Sequence, residues 1–205
     1  MSDRTVYVVD DDASVRDALS MLLRVSGYAV ASFGTATEFL DVSMPGTSGC
    51  IILDVDMPGM DGPALQQELI RRGVQLPVIF LSGKGTIPIT VRTIKAGAVD
   101  FLTKPVDGSV LLARVQKALE QGLLLQKQAE AFQSIALRLA ALTEREREVM
   151  KLAVAGLTNK EIAQRLGISY RTVEIHRTHV MHKSGATNLL ELARIADTLE
   201  SHQTQ

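Results

Sequence analysis

Five short apolar segments alternate with helical patterns along the first half of the chain, and this alternation limits the fold more than any other feature. The segments are residues 5–9, 29–33, 51–53, 78–81 and 101–102. Between them, apolar residues recur at helical spacing around 15–23, 36–42, 65–72 and 88–96. Most of the segments are continuously apolar, which is typical of strands buried on both faces. The pattern predicts an α/β fold with a five-stranded, parallel, doubly wound sheet.

The second half of the chain is helical throughout. Thr143 and Glu146 have the spacing of a capping box, which predicts a helix that ends near Gly156. Further helices are expected at 159–166, 170–183 and 188–199. The short turn at Gly167 gives the first two of these the spacing of a helix-turn-helix. We therefore expect an all-α, four-helix helix-turn-helix domain.

Residues 107–141 contain no convincing helix breaker and predict a long linker helix. A heptad spacing runs through Leu111, Val115, Ala118, Gly122, Leu125, Ala129, Phe132, Ala136 and Leu139. One interpretation is that the last helix of the first domain continues as a plain linker. The other is that this helix also pairs with a second chain. The glycine and the three alanines favour the plain linker, because such a seam buries little area.

Composition excludes several classes of protein. The chain has 205 residues, of which 46% are hydrophobic and 22% charged, and this excludes general disorder. No apolar stretch approaches the ~20 residues that span a bilayer, and the first residues lack a secretory signal pattern. Cys50 is the only cysteine, so the sequence offers neither a disulfide framework nor a thiolate metal cage. We expect a cytoplasmic protein without membrane contact.

The two halves of the chain differ in charge. Residues 1–120 carry 11 basic and 14 acidic side chains, whereas residues 142–205 carry 9 basic and 8 acidic ones together with all four histidines. Within 159–183 the count is 5 basic against 2 acidic. A basic helix-turn-helix suggests a DNA partner, although a plain helical bundle with a solvated charged face has the same charge pattern.

Polar residues follow four of the five predicted strands. Asp10, Asp11 and Asp12 follow the first strand, Asp54 the third, Ser82 the fourth and Lys104 the fifth. Because ligands of open α/β sheets lie beyond the carboxyl ends of the strands, we expect these side chains to converge on one cleft. Crowded carboxylates repel each other, and an all-oxygen ligand set favours Mg²⁺. Taken singly, each residue is also explained as a helix cap, a turn residue or a solvated loop residue.

Four segments carry a family resemblance: VVDDD at 8–12, LDVDMPGMDG at 53–62, SG at 82–83 and KAGAVDFLTKP at 95–105. Over residues 5 to about 120, the chain resembles the receiver domain of two-component response regulators, which has a flavodoxin- or CheY-like sheet. The resemblance implies that Asp54 accepts a phosphoryl group from a sensor histidine kinase. It also implies that Asp11 binds Mg²⁺ directly, with Asp10 beside it or acting through water. Asp56 would contribute its backbone carbonyl to the ion.

The same resemblance implies roles for residues at the last two strands. Lys104 would pair with the phosphoryl group, and a cis peptide bond would join it to Pro105. Ser82 would be the switch hydroxyl and Phe101 the switch aromatic. Phosphorylation would then alter the surface that includes the helix near 88–96.

A competing class shares part of the central motif. Asp54-Val55-Asp56 after an apolar strand also resembles the nucleophile motif of haloacid-dehalogenase-type phosphatases, in which the second aspartate acts as acid and base. That family has a further acidic pair late in the chain, whereas here the acidic pair precedes Asp54. Steady turnover of phosphate monoesters would identify a phosphatase. We expect instead a regulator, not an enzyme, with single-turnover phosphotransfer and slow self-dephosphorylation.

The second half also resembles a known family, through LTEREREV at 142–149, AGLTNKEIA at 155–163 and ISYRTVEIHR at 168–177. These segments resemble the LuxR-type DNA-binding domain. With the receiver, the chain is similar to the NarL/FixJ class of transcription regulators, and most similar to its FixJ branch. The family implies base contacts from Glu174, Ile175 and Thr178. It places six more residues near DNA phosphates: Asn159, Lys160, Arg171, Thr172, Arg177 and Lys183.

Together the resemblances imply a complete regulator. We expect a receiver domain at 1–120, a helical linker at 121–141 and a LuxR-type helix-turn-helix domain at 142–205. A sensor histidine kinase would phosphorylate the receiver. The phosphorylated protein would form a homodimer, bind double-stranded promoter DNA and act with RNA polymerase. A DNA-binding module with a degenerate receiver is disfavoured because every pocket residue is present.

Overall fold

The computed structural model describes residues 5–83 and 97–203 of the chain, with the backbone alone for residues 198–203. The chain forms two compact units, Met1–Lys127 and Gln128–Gln205. The helix expected near 88–96 lies outside the described residues. Within the described parts of the chain, no helix is both long enough and apolar enough to cross a membrane.

The first unit is built on the predicted five-stranded parallel sheet. The strands are β1 (Thr5–Val9), β2 (Ala29–Phe33), β3 (Gly49–Asp54), β4 (Val78–Ser82) and β5 (Asp100–Thr103). Their order in the sheet is β2-β1-β3-β4-β5, and every pair is parallel. The chain thus starts in the sheet interior and winds toward both edges, which confirms the doubly wound α/β fold.

Helices cover both faces of this sheet. Those before the fourth strand are α1 (Ala13–Val25), α2 (Ala36–Val42) and α3 (Gly62–Arg71). One face holds an apolar core around Phe39, Leu65 and Phe80. The opposite face holds a second core around Leu23 and Ile52. Burial on both faces explains why the strands are continuously apolar.

Two elements begin earlier than the apolar pattern predicts. Strand β3 starts at Gly49 rather than at 51, because Gly49 and Cys50 pair with Thr5 and Val6 of β1. Gly49 has a φ of +128° and lies against the Thr5 carbonyl, where a side chain has no room. Helix α3 starts at Gly62 rather than at 65. Its N-cap is Asp61, whose carboxylate accepts a hydrogen bond from the Ala64 backbone N–H at 2.7 Å.

A single long helix, α4 (Gly108–Ala140), contains the boundary between the two units. Three of its first apolar residues are buried in the core around Leu23 and Ile52 in the first unit: Leu111, Val115 and Ala118. Gly122 also packs on the sheet, since a Cβ there would lie 2.7 Å from the Gly49 carbonyl oxygen. Leu139 belongs to a core of the second unit. Much of the heptad seam is therefore used within the chain, which favours the plain-linker interpretation.

The second unit contains four helices after the linker. They are α5 (Glu144–Val154), α6 (Asn159–Leu166), α7 (Tyr170–Ser184) and α8 (Leu189–Gln203). One small core surrounds Met150, Val180 and Leu192, and another surrounds Ile162 and Val173. The second core joins α5, α6 and α7, so the helix-turn-helix is held by the helix that precedes it.

Candidate functional site

The predicted acidic pocket forms at the carboxyl edge of the sheet. Asp10 directly follows β1, Asp54 is the last residue of β3, and Ser82 is the last residue of β4. Lys104 directly follows β5. Because β1, β3, β4 and β5 are adjacent and parallel, these residues meet at one edge, as the sequence predicted.

Lys104 links the two buried carboxylates of the pocket. Its Nζ lies 2.6 Å from Asp10 Oδ2 and 2.9 Å from Asp54 Oδ1. Asp10 is 1% exposed and Asp54 5% exposed, whereas the lysine side chain is partly open to solvent. The pocket therefore holds two buried carboxylates against the Lys104 ammonium at an edge of the sheet that is open to solvent.

Burial and the neighbouring charges shift the pKa values of both Asp54 and Lys104. Burial is the largest cause at Asp54 and raises its pKa, the hydrogen bond and charge of Lys104 lower it, and the Asp10 and Asp11 carboxylates raise it by a smaller amount, so that the pKa is raised overall. For Lys104, burial acts to lower the pKa, but its bonds to Asp10 and Asp54 outweigh burial and raise it. The lysine is thus firmly protonated, and Asp54 is held in an environment that disfavours its ionised form.

Three carboxylates of the pocket are close enough to hold one cation. One oxygen from each of Asp10, Asp11 and Asp54 lies within 4.8 Å of the others. Asp12 points elsewhere: it is the N-cap of α1, and its carboxylate accepts a hydrogen bond from the Ser14 backbone N–H at 2.8 Å. Carboxylate oxygens without thiolates are the ligands of hard ions, so the residues fit Mg²⁺.

The predicted switch residues line the β4 and β5 side of the pocket. Ser82 is buried, and its carbonyl accepts a hydrogen bond from the Lys104 backbone N–H at 2.8 Å. The Lys104–Pro105 peptide bond is cis, as expected. Phe101 is half-buried, with its ring 6.5 Å from that of Phe80.

Two further residues lie near the pocket, Asp56 after β3 and Arg16 on α1. Asp56 is exposed, which is compatible with a role for its backbone rather than its side chain. Arg16, which we did not single out, donates a hydrogen bond from Nη1 to the Asp10 carbonyl at 2.6 Å. The available signal was its place six residues after Asp10 on the predicted first helix.

The helix-turn-helix is fixed by side chains at its helix ends. Helices α5 and α6 both begin with complete capping boxes, formed by Thr143 with Glu146 and by Thr158 with Glu161. Helix α6 ends at Gly167, which has a left-handed conformation with φ of 65°. These caps set the turn that aims α7.

The three predicted base-reading residues share an exposed face of α7. Glu174 and Thr178 are exposed, and Ile175 is 48% exposed despite being a large apolar residue. The spacing i, i+1 and i+4 brings them to one side of the helix. An exposed isoleucine on a helix of this motif is suited to contact with a thymine methyl group.

The predicted phosphate contacts fall into two groups. Lys160, Arg171 and Thr172 lie in the first turns of α6 and α7, where Lys160 and Arg171 are exposed and the Thr172 hydroxyl lies 2.8 Å from that of Ser169. The other three residues contact side chains of other helices. Arg177 Nη1 donates to Asn159 Oδ1 at 2.6 Å, and Lys183 Nζ lies 2.7 Å from the Glu146 carboxylate. The pair Asn159–Arg177 joins the two helices of the motif.

Comparison with known families accounts for most of the chain. Residues 6–116 match the response regulator receiver domain, and residues 140–196 match the family described as bacterial regulatory proteins of the luxR type. The transcriptional regulatory protein FixJ of Azorhizobium caulinodans is 44% identical over 191 residues, which cover 93% of this chain and 90% of that protein. The chain is a FixJ-type response regulator.

Other relatives and solved structures support the same assignment, a DNA-binding transcriptional response regulator. Nodulation protein W of Bradyrhizobium diazoefficiens is 44% identical over 95% of this chain and 86% of its own length. The structure of the response regulator StyR has a TM-score of 0.83 at 39% identity and covers 96% of this chain and 99% of its own. Full-length FixJ from B. japonicum has a TM-score of 0.57 at 40% identity, over 97% and 98% of the two chains.

Proposed function

We propose that this FixJ-type regulator is phosphorylated on Asp54 by a partner sensor histidine kinase, and that phosphorylation promotes dimerisation and promoter binding. One observation carries the proposal. The buried Asp54 carboxylate, whose pKa is raised, lies 2.9 Å from Lys104. The Asp10 and Asp11 carboxylates lie beside it at the open edge of the sheet. Perturbed carboxylates grouped in this way are typical of functional sites.

The proposed reaction is an in-line transfer between two protein side chains. The Asp54 carboxylate attacks phosphorus, an O–P bond forms, and the P–N bond to the kinase histidine breaks. The histidine ring, protonated on its other nitrogen, leaves as neutral imidazole. Lys104 exchanges its contact with Asp54 for one with the transferred group, while its bond to Asp10 holds the ammonium in place.

The acidic residues of the pocket are suited to the cofactor of this reaction. Asp11 and Asp54 would hold Mg²⁺ through their carboxylates, Asp10 beside them or through water, and Asp56 through its backbone carbonyl. When bound, Mg²⁺ neutralises the charge that develops on the phosphoryl oxygens. The close approach of three carboxylates supports this assignment.

A switch in the receiver would follow from the new charge on Asp54. The Ser82 hydroxyl can donate a charge-assisted hydrogen bond to the phosphoryl group only after transfer. Movement of Ser82 would let Phe101 turn inward, toward the core around Phe80. The surface formed by β5 and the first turns of α4 would then change shape and pair with a second copy.

Dimerisation would matter because one helix-turn-helix covers only one half-site of DNA. Joining two such domains makes the second contact intramolecular, and avidity rises by ~10²–10⁴. We assign the receiver to residues 1–120, the helical linker to 121–141 and the DNA-binding domain to 142–205. RNA polymerase would be a further partner at the promoter, and the protein would act in the cytoplasm, where bacterial DNA lies.

Mass spectrometry and sedimentation of the full-length protein test the proposal. A small-molecule phosphodonor with Mg²⁺ should add one phosphoryl group to each chain and convert a monomer into a two-fold dimer. Asp54→Asn should remain unmodified and monomeric, and Ser82→Ala should accept phosphate but dimerise weakly. The exposed Asp56→Asn is the control, because only its backbone is needed. Phosphorylated protein that binds operator tightly as a monomer would contradict the dimer mechanism.

The DNA interface has a test of its own. Lys160→Ala should weaken binding to all sequences alike and reduce the salt dependence by about one phosphate contact. Thr178→Ala should instead change which operator is preferred. Both variants are measured on a selected site and on random DNA, at several salt concentrations. A sequence-specific effect of Lys160→Ala would contradict this division of roles.

A further inference from the structure

We infer that Arg16 is a positioning residue for the acidic pocket, acting through the backbone of Asp10. The inference rests on the proposed phosphoryl-transfer function of that pocket. The Arg16 guanidinium contacts the peptide bond between Asp10 and Asp11. Arg16 itself is neither one of the proposed metal ligands nor one of the proposed switch residues.

The contact of Arg16 with Asp10 is short and charge-assisted. Arg16 is half-buried on the first turn and a half of α1, and its Nη1 donates to the Asp10 carbonyl at 2.6 Å. That carbonyl belongs to the peptide bond that joins Asp10 to Asp11. The direction of this peptide determines where the Asp11 side chain starts, so a guanidinium bound to its oxygen fixes both residues.

A second surface holds the guanidinium from the other side. Gly34 lies against it, since a Cβ at this glycine would be 3.6 Å from Arg16 Cζ. The Gly34 backbone N–H donates to the Glu38 carboxylate at 2.9 Å, which fixes the turn between β2 and α2. The Asp10 backbone N–H donates to the Phe33 carbonyl at 3.2 Å. Arg16 is therefore confined between the end of β1 and this turn.

The side chain of Asp10 makes this backbone anchor important. Its Oδ1 accepts a hydrogen bond from the Asp12 backbone N–H at 3.0 Å, and its Oδ2 binds Lys104 at 2.6 Å. Any rotation of the Asp10–Asp11 peptide would disturb both of these bonds together with the Asp11 carboxylate. The planar guanidinium keeps its geometry better than a flexible ammonium could.

The two roles that Arg16 could have, as a nearby positive charge or as a positioning residue, predict opposite effects of its removal on Mg²⁺ binding. If Arg16 acted only as a nearby positive charge, its removal would strengthen the binding of a cation. If it positions the carboxylates, its removal weakens binding, and loss of such a supporting residue commonly costs about 10–100-fold in metal affinity. We expect Arg16→Met to weaken Mg²⁺ binding roughly tenfold. Arg16→Lys, which keeps the charge and one donor, should lie between Arg16→Met and the wild type.

The experiment combines Mg²⁺ calorimetry with amide hydrogen exchange by NMR, both on the full chain. In metal-free protein, Arg16→Met should speed exchange of the Asp12 amide, because that amide is held by Asp10. The control is Arg24→Met, an exposed arginine near the other end of the same helix. It should change neither measurement.

Each outcome decides the inference. Unchanged or tighter Mg²⁺ binding by Arg16→Met, or an unchanged Asp12 exchange rate, would overturn it. If Arg16→Met does not fold, Arg16→Lys replaces it, and wild-type values in both measurements would be the contradicting result. Failure of the proposed function is distinguishable, because then the wild-type protein itself would neither bind Mg²⁺ nor accept a phosphoryl group.

Discussion

Two buried carboxylates in this protein are each bonded to a lysine, yet their pKa values move in opposite directions. In the receiver, Asp54 lies 2.9 Å from Lys104, and its pKa is raised. In the DNA-binding unit, Glu146 lies 2.7 Å from Lys183, and its pKa is lowered to about 2. Asp54 is 5% exposed and Glu146 3% exposed.

The balance between burial and hydrogen bonding explains the difference. At Asp54, burial is the largest cause of the shift and outweighs the bond to Lys104, which Asp10 shares, while the Asp10 and Asp11 carboxylates add a smaller repulsion. At Glu146, the hydrogen bonds from Lys183 and from the Thr143 backbone N–H, the latter at 2.8 Å, outweigh burial. Glu146 also lies in the first turn of α5, where a helix favours negative charge.

The receiver pocket is suited to binding a ligand, whereas the Glu146–Lys183 pair is complete without one. Among the described side chains of the receiver pocket, the Asp10 and Asp54 carboxylates share Lys104 and the Asp11 carboxylate lies nearby, so a bound cation would relieve their repulsion. The pair Glu146–Lys183 is satisfied by the protein alone and joins the start of α5 to the end of α7. A shifted pKa by itself does not identify a functional group, because structural ion pairs such as Glu146–Lys183 also shift pKa values.

The largest change in the free energy of unfolding is expected when the Glu146–Lys183 pair is broken. Lys183→Met leaves the Glu146 carboxylate buried without its cation. Because Lys183 is about one-third exposed, we expect a loss of about 2 kcal/mol rather than the roughly 3–5 kcal/mol of a fully buried pair. Hydrogen exchange of peptides from residues 128–205 measures it. Lys151→Met, an exposed lysine on α5, is the control, and equal losses in both variants would contradict the structural role of the pair.

Much of the receiver pocket could be predicted from sequence, because its residues are anchored to strand ends. Asp10, Asp54, Ser82 and Lys104 follow or end apolar segments, and a parallel sheet brings such positions to one edge. The sheet is a regular element, so counting along its strands is enough. No distance or burial is needed for this prediction.

The interactions that cross between elements could not be predicted in this way. Lys183 was assigned to DNA phosphates, and its bond to Glu146 joins residues 37 positions apart. That contact depends on how α5 and α7 pack. Arg16 was missed for a related reason, since its target is a backbone carbonyl, which every residue has and which no sequence pattern marks.

The next largest change in stability is expected when Mg²⁺ binds to the receiver pocket. At a Mg²⁺ concentration tenfold above its dissociation constant, linkage predicts a gain of about 1.4 kcal/mol in unfolding free energy. The gain should appear in peptides from residues 5–83 and be absent from those of 128–205. Asp11→Ala should remove most of it, and an unchanged gain in that variant would show that the carboxylates do not bind the ion.

A smaller gain is expected from neutralising Asp54 itself. Asp54→Asn removes a negative charge that the pocket disfavours while keeping the side-chain shape, and should stabilise the receiver by about 1 kcal/mol in the absence of Mg²⁺. Chemical denaturation measures the change. Asp56→Asn, at an exposed position, should have little effect. Destabilisation by Asp54→Asn would mean that the bond to Lys104 outweighs burial and repulsion.

The last expected effect is a difference in pH dependence. Because the folded pKa of Glu146 is lowered, its contribution to stability is present above its unfolded pKa and is lost as the pH falls toward about 2. The raised pKa of Asp54 acts in the opposite sense: its contribution is favourable at low pH and is lost as the pH rises through the folded value. Acidification should therefore destabilise residues 128–205 through Glu146, while Asp54 partly protects the receiver. Lys183→Met should flatten only the first dependence.

Carboxylate NMR titration of the full-length, metal-free protein tests the contrast most directly. With ¹³C-labelled aspartate and glutamate, and with Asp54→Asn and Glu146→Gln used to assign the two signals, each group is followed through acidic pH. We predict that Asp54 titrates above the ordinary range of aspartate and Glu146 near 2. An Asp54 that titrates below that range, or a Glu146 that titrates at the ordinary value of glutamate, would contradict the account.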